Sequence, residues 1–320
     1  MPVVLIPFLY IIHRLYRVQE IDLIKVLVAI AFFLYASLSD WKTRRVKDLV
    51  WIILGSIAFV MLLIELVMRN ASLLEISLLL PLAFMFYDIF WDREHGWRTM
   101  EGALAIALYA LSFSWLVFVV MNAPAYPVGE PYGFPPIVSL VMIFALVVLF
   151  ELFYMFDVIK GGADAKAVIC LAILFPWYPE LTGSLPVIRP VAEAVLTFFP
   201  FALSVLFVAA LMSLLTPLYF LFKNMSAGNR LSLRSLMGFQ IPIAEVEKRF
   251  VWLMEWVEGG KLKFSARKPR PSESLSADLA ALQALGLKEV WVTYKIPFMI
   301  PMTISILFVI VVGNPLFALY

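Results

Sequence analysis

Ile137-Val-Ser-Leu-Val-Met-Ile-Phe-Ala-Leu-Val-Val-Leu-Phe-Glu-Leu-Phe-Tyr-Met-Phe156 carries a single charge, Glu151, along its whole length. At about 1.5 Å per residue, one helix of this length reaches across the roughly 30 Å hydrocarbon core of a bilayer. Similar apolar runs lie outward from it at about 21–38, 49–68, 72–91, 102–121, 165–177, 194–222 and 298–318. The pattern predicts an all-α polytopic membrane protein of about eight transmembrane helices, the sixth of them short. Composition agrees, since 63% of the 320 residues are hydrophobic and 15% are charged, far from the balance of a soluble domain.

Pro2 to Ile12 is apolar but too short to span, and His13-Arg14-Leu15-Tyr16-Arg17 interrupts the run. Residues 1–20 are therefore expected as an amino-terminal segment lying in the interface or against the bundle. No cleavable signal peptide is read there, because no basic region precedes the run and no small-residue cleavage site follows it. Residues 21–222 form the expected transmembrane bundle, 223–297 a water-soluble subdomain, and 298–320 the last helix.

Short cytoplasmic loops carry an excess of Lys and Arg, so topology follows from where those residues fall. One face receives Lys42, Arg44, Arg45, Lys47, Arg93, Arg98, Lys160, Lys166 and all twelve basic residues of 223–297. The other receives Arg69 and Arg189, with Arg14, Arg17 and Lys25 at the amino-terminal end, and the loop 122–136 has none. The rich face is expected to be cytoplasmic, with the protein a multi-pass component of the cell membrane. Within 223–297, Ala244 to Glu258 reads as a helix closed by Gly259-Gly260, Ser276 caps a second helix stopping at Gly286, and Glu289 to Lys295 alternates like a strand. A small α+β unit is expected there.

Cys170 stands alone and the histidines number two, so neither a disulfide nor a His/Cys metal site is expected, and chemistry falls to carboxylates. No cofactor, metal or nucleic-acid partner is expected. Two aspartates share one depth at the basic face. Asp40 ends the first spanning run, in Ser39-Asp-Trp-Lys-Thr-Arg-Arg-Val-Lys-Asp48; Asp164 lies between the fifth and sixth, in Lys160-Gly-Gly-Ala-Asp-Ala-Lys166. Such a pair suits hydrolysis by an activated water: like charges close together do not both ionise easily, so the pair holds one shared proton. Gly161 and Gly162 allow a sharp turn and close backbone approach. Each feature also has a plain reading, since Asp164 before an apolar helix fits an N-cap and the run Lys42 to Lys47 fits positive-inside topology.

The remaining acids read as supporting. Asp88 and Glu151 are intramembrane ionisable groups, expected to pair with Arg93 or Arg98 and to hydrogen-bond inside the bundle, respectively. Glu65 and Glu75 are expected at the outer interface, solvated by water. Asp157 has two readings, a place near the site or an interfacial turn paired with Lys160, and Cys170 suits packing.

The two aspartate stretches resemble the archaeal preflagellin peptidase and type IV prepilin peptidase family of membrane aspartyl proteases. The first family pattern is Asp-x-(Lys/Arg)-x-Arg-x-(Val/Ile)-x-(Asn/Asp), matched by Asp40, Lys42, Arg44, Val46 and Asp48. The second is Gly-x-Gly-Asp-x-Lys, matched by Gly161, Asp164 and Lys166, with Ala163 in place of the second glycine. That departure matters if the family glycine needs a positive φ. The stretches Met237 to Pro242 and Val290 to Pro297 resemble the carboxyl-terminal extension of longer archaeal members. The tetracysteine module of many bacterial members is absent.

The resemblance implies an aspartic-type endopeptidase that removes a short basic leader from archaellin or type IV pilin-like precursors at the cytoplasmic face of the membrane. It implies Asp40 and Asp164 as the catalytic pair, Lys166 tuning them, Asp48 helping to attract the leader, and Gly161, Gly162 and Ala163 shaping the turn. The partners implied are those precursors and membrane lipid. Three other readings compete: a presenilin or signal peptide peptidase type of protease using Tyr87-Asp88, a transporter carrying ions on Asp88, Glu151 and Asp164, and a scaffold presenting 223–297.

Overall fold

The computed structural model describes residues 2–91, 99–124, 135–156, 161–181, 185–188, 195–196, 199–228, 232–265 and 275–319. The chain divides into two compact units, Met1–Ala209 with Phe298–Tyr320, and Ala210–Pro297.

The first unit is helical. Helix α1 runs unbroken over Pro2–Thr43, through the charged residues of His13 to Arg17. Next come α2 (Asp48–Met68), α3 (Leu73–Ile76), α4 (Leu79–Asp88), α5 (Met100–Asn122), α6 (Pro136–Met155), α7 (Gly162–Leu174) and α8 (Phe201–Ser213). Among the described residues six helical stretches are long and apolar enough to cross a membrane: Gln19–Thr43, Asp48–Met68, Met100–Asn122, Pro136–Phe153, Phe201–Ser226 and Met299–Ala318.

Two of the eight expected spans are shorter than a span requires. The run 72–91 is split into α3 and α4. Ser72 and Glu75 close a capping box that starts α3, and Pro81 has no N–H to return to the Ser77 carbonyl, so the first helix ends and another begins. The run 165–177 is the 13-residue α7, stopped at Leu174 ahead of Pro176. Ala167 to Leu174 are all buried, so α7 is apolar because it is a core helix surrounded by protein. It packs along α2 and α6, while α1 packs along α2 and along the last helix, α12 (Met299–Val311).

In the second unit, α9 (Leu215–Ser226) and α10 (Leu233–Met237) precede β1 (Phe239–Pro242), a 3-10 turn (Ile243–Lys248), β2 (Val251–Leu253), β3 (Glu255–Glu258), β4 (Lys261–Phe264), α11 (Leu275–Ala284) and β5 (Glu289–Tyr294). The helix expected over Ala244 to Glu258 is instead a 3-10 turn and two strands. The diglycine read as its stop is the hairpin turn between β3 and β4, with φ +57 at Gly259 and +72 at Gly260. Two successive positive φ values twist a two-residue turn to match paired strands, and glycine supplies them without Cβ strain. The expected strand at 289–295 is the centre of an antiparallel sheet ordered β1-β5-β2. One sheet face, with Phe239, Ile241, Val251, Val290 and Val292, packs on Leu279 and Leu282 of α11 and on Phe220 of α9.

Candidate active site

Helix α1 ends in a tight reversal. Arg44 takes φ +56, rare for a residue with a Cβ, and its N–H donates to the Asp40 carbonyl at 2.9 Å. The Ser39 hydroxyl donates to the Arg45 carbonyl at 2.8 Å, and the Thr43 hydroxyl is 2.9 Å from the Ser39 carbonyl and 3.0 Å from that of Arg45. The basic loop is thereby folded onto the last turn of α1, and the half-buried Asp40 is held there.

A second restraint on Asp40 comes from far away in sequence. Its Oδ2 accepts the backbone N–H of Met299, 3.3 Å away, at the start of α12. One turn further into each helix, the Ser37 and Thr303 hydroxyls lie 2.7 Å apart, and Thr303 also reaches the Phe33 carbonyl at 3.0 Å. Nothing in the local pattern around Asp40 announces a partner 259 residues away.

Asp164 is the third residue of α7, and the N-cap position belongs to Gly161, so the N-cap reading of Asp164 does not hold. Gly161 has φ −96 and ψ 101, ordinary extended backbone. What its missing side chain provides is room: a Cβ there would lie 3.0 Å from Asp164 Cγ and nearer still to Oδ2. The carboxyl group folds back over the glycine. Ala163 lies inside the helix and is not among the residues with positive φ, so alanine there is unstrained.

The Asp164 carboxyl is pushed up from 3.8 to about 7, first by burial and second by the negative charge of Asp40. The charge of Asp40 therefore reaches Asp164, although 124 positions separate them in the chain. Lys166 turns elsewhere. It forms a 2.5 Å ion pair with the exposed Asp48 at the start of α2 and sits 4.7 Å from the centre of the Phe90 ring.

Asp88 and Glu151 meet at a residue that the pattern did not single out. The Tyr109 hydroxyl lies 2.9 Å from Asp88 Oδ2 and 3.1 Å from Glu151 Oε1. All three line a cavity of about 460 Å³ whose wall also includes Gly162, Ala165 and Lys166. A tyrosine on an apolar helix reads as packing until its partners are known. Arg93, Arg98, Asp157 and Lys160 lie outside the described residues. Tyr87 bonds to Ser56 at 2.7 Å, and the acid whose charge reaches Asp164 is Asp40, which disfavours a Tyr87-Asp88 dyad.

Glu65 and Glu75 are buried, contrary to expectation. Glu65 pairs with Lys25, itself fully buried, and with Arg69 at 3.0 Å, while Lys25 also lies 3.5 Å from Asp22. Glu75 closes the capping box with Ser72. Charges inside an apolar bundle persist when paired, and the Lys25–Glu65 pair joins α1 to α2. Cys170 is buried, with Sγ 3.5 Å from the Trp51 carbonyl, as a packing role requires.

Residues 231–314 match the family model described as Archaeal Peptidase A24 C-terminus Type II. The match supports membership of the archaeal preflagellin and prepilin peptidase family. A match to a peptidase family's model suggests a protease, and the six apolar helices support a membrane protein. The matched region holds all five strands and α12, including the Met299 N–H that Asp40 accepts, and neither aspartate lies in it. No curated protein matches the chain.

Proposed function

We propose that this chain is a membrane aspartyl endopeptidase that cuts the short basic leader from archaellin or type IV pilin-like precursors at the cytoplasmic face, with Asp40 and Asp164 as its catalytic pair. The observation that carries the reading is that Asp164 is raised to about 7, first by burial and then by the charge of Asp40. Near neutral pH the pair holds one shared proton, and Asp40 accepts the Met299 N–H.

In this mechanism a water between the two groups gives its proton to Asp40 as its oxygen bonds to the scissile carbonyl carbon. Asp164 passes its proton to the carbonyl oxygen, leaving a neutral gem-diol. Collapse of the diol breaks the C–N bond; Asp40 delivers its proton to the leaving nitrogen and Asp164 takes one back from the diol. No side chain becomes covalently attached to substrate. A basic leader complements the carboxylates, while Asp48 is held in its ion pair with Lys166.

The test is cleavage of a membrane-embedded precursor with a basic leader by wild type, Asp40→Asn and Asp164→Asn at equal expression. Wild type cuts at the leader boundary and each variant loses nearly all activity. If both variants still cut, the two aspartates are structural and the reading is wrong.

A further inference from the structure

The sheet of the second unit has one face in the core and one facing out. Val251 and Val292 point inward, so by strand alternation Trp252, Trp291 and Thr293 share the opposite face, where Trp252 is paired in register with Thr293. Trp252 is 44% exposed, Phe250 50% and Ile296 45%. The Lys295 ammonium sits 4.2 Å from the centre of the Trp252 ring, and the Lys295 N–H donates to the Phe250 carbonyl at 3.0 Å. Two large aromatics and a lysine thus lie together at one end of the β2–β5 pair, with the exposed Ile296 next in the chain.

Two observations put that end at the depth of a membrane surface. The first is packing inside the unit. Tyr294, at the end of β5, accepts from Lys223 Nζ at 3.1 Å and stacks on Phe220 with ring centres 5.9 Å apart. Both partners belong to α9, and Lys223 lies three residues before the end of the apolar stretch Phe201–Ser226, about 5 Å along the helix axis. The second is chain length. Only three residues lie between Lys295 and Met299, where the stretch Met299–Ala318 begins, and the four steps span at most about 14 Å.

We propose that Phe250, Trp252, Lys295 and Ile296 form an interfacial anchor, seated among anionic lipid headgroups with the rings at the acyl boundary. Amphipathic rings with a neighbouring cation suit that layer, where one end of the side chain is apolar and the other wet. Charge complementarity supports lipid as the occupant, since residues 210–297 carry twelve Lys and Arg against seven Asp and Glu. The anchor fixes the second unit's sheet at the bilayer surface independently of any peptidase activity.

The test uses the full chain in vesicles of phosphatidylcholine, with and without phosphatidylglycerol. A spin label at Trp252→Cys is compared with one at Leu285→Cys, an exposed position beyond α11; native Cys170 is buried and unlabelled wild type gives the background. The label at 252 collides severalfold more with oxygen relative to a water-soluble nickel chelate than the label at 285 does. The difference grows with phosphatidylglycerol and shrinks in the Lys295→Glu background. Equal collision ratios at 252 and 285 overturn the anchor and leave the face to a protein partner; a ratio indifferent to phosphatidylglycerol overturns the anionic choice. Brominated phosphatidylcholine gives a second reading without cysteine: wild type loses more tryptophan emission than Trp252→Phe, and equal losses overturn the proposal.

Discussion

Gly161→Ala isolates the shape of the dyad from the stability of the fold. Backbone strain is not at issue, because φ −96 and ψ 101 are open to any L-residue. Replacing an N-cap glycine by alanine costs on the order of 1 kcal/mol or less, a small shift in Tm. The new Cβ, however, falls 3.0 Å from Asp164 Cγ, whereas two carbons rest at about 3.5 to 4.0 Å. The carboxyl group, at the end of a rotatable side chain, must withdraw by roughly 0.5 to 1 Å. A misplacement of about 1 Å at a reacting group is worth on the order of 10²-fold in rate. Cleavage of a leader-bearing precursor in vesicles is therefore expected to fall by about that factor in kcat/KM, with thermal unfolding nearly unchanged. A Gly161→Ala enzyme that cuts at the wild-type rate would refute the placement of Asp164 at the reaction centre.

Three further outcomes follow from the same geometry. Asp164, raised from 3.8 to about 7, keeps a proton in the folded chain that the unfolded chain has released, so its contribution to stability is complete below pH 3.8 and lost as pH rises through about 7. Cleavage needs that proton and drops about tenfold per unit above pH 7; in Asp40→Asn the Asp164 titration, followed by its carboxyl infrared band, moves down yet stays above 3.8, because burial is the larger cause. Tyr109→Phe withdraws a donor from both Asp88 and Glu151 and is expected to cost about 1 to 3 kcal/mol in denaturant titration of the detergent-solubilised protein. Gly55→Ala sets a Cβ within 2.9 Å of Phe86 Cε2 and nearer to the rest of that ring edge, so overpacking between α2 and α4 should lower stability by about 1 to 3 kcal/mol in the same titration.

Most of the helical layout was legible because hydropathy is a local property. A run such as 137–156 must be helical in lipid whatever surrounds it, since every backbone polar group has to be satisfied within the segment. The same local signal read single spanning helices at 72–91 and 165–177, where the helices are shorter. An apolar run reports burial and not its cause, and α7 is enclosed by protein. Pro81 and Pro176 were the residues that could have shown these runs to be short. Gly259-Gly260 misled in a similar way, because a diglycine stops a helix or turns a hairpin, and only the pairing of β3 with β4 decides.

By itself the sequence determined that the chain lives in a bilayer, that Asp40 and Asp164 each stand at a helix end, and that β5 is a strand, since each follows from residues within a few positions of one another. Tertiary structure alone decided that the charge of Asp40 reaches Asp164, that Met299 on the last helix holds Asp40, that Lys166 pairs with Asp48, and that Tyr109 joins two acids. These are contacts between residues 21 to 259 positions apart. Electrostatic and hydrogen-bond energies depend on distance in space, which only the packing of helices sets.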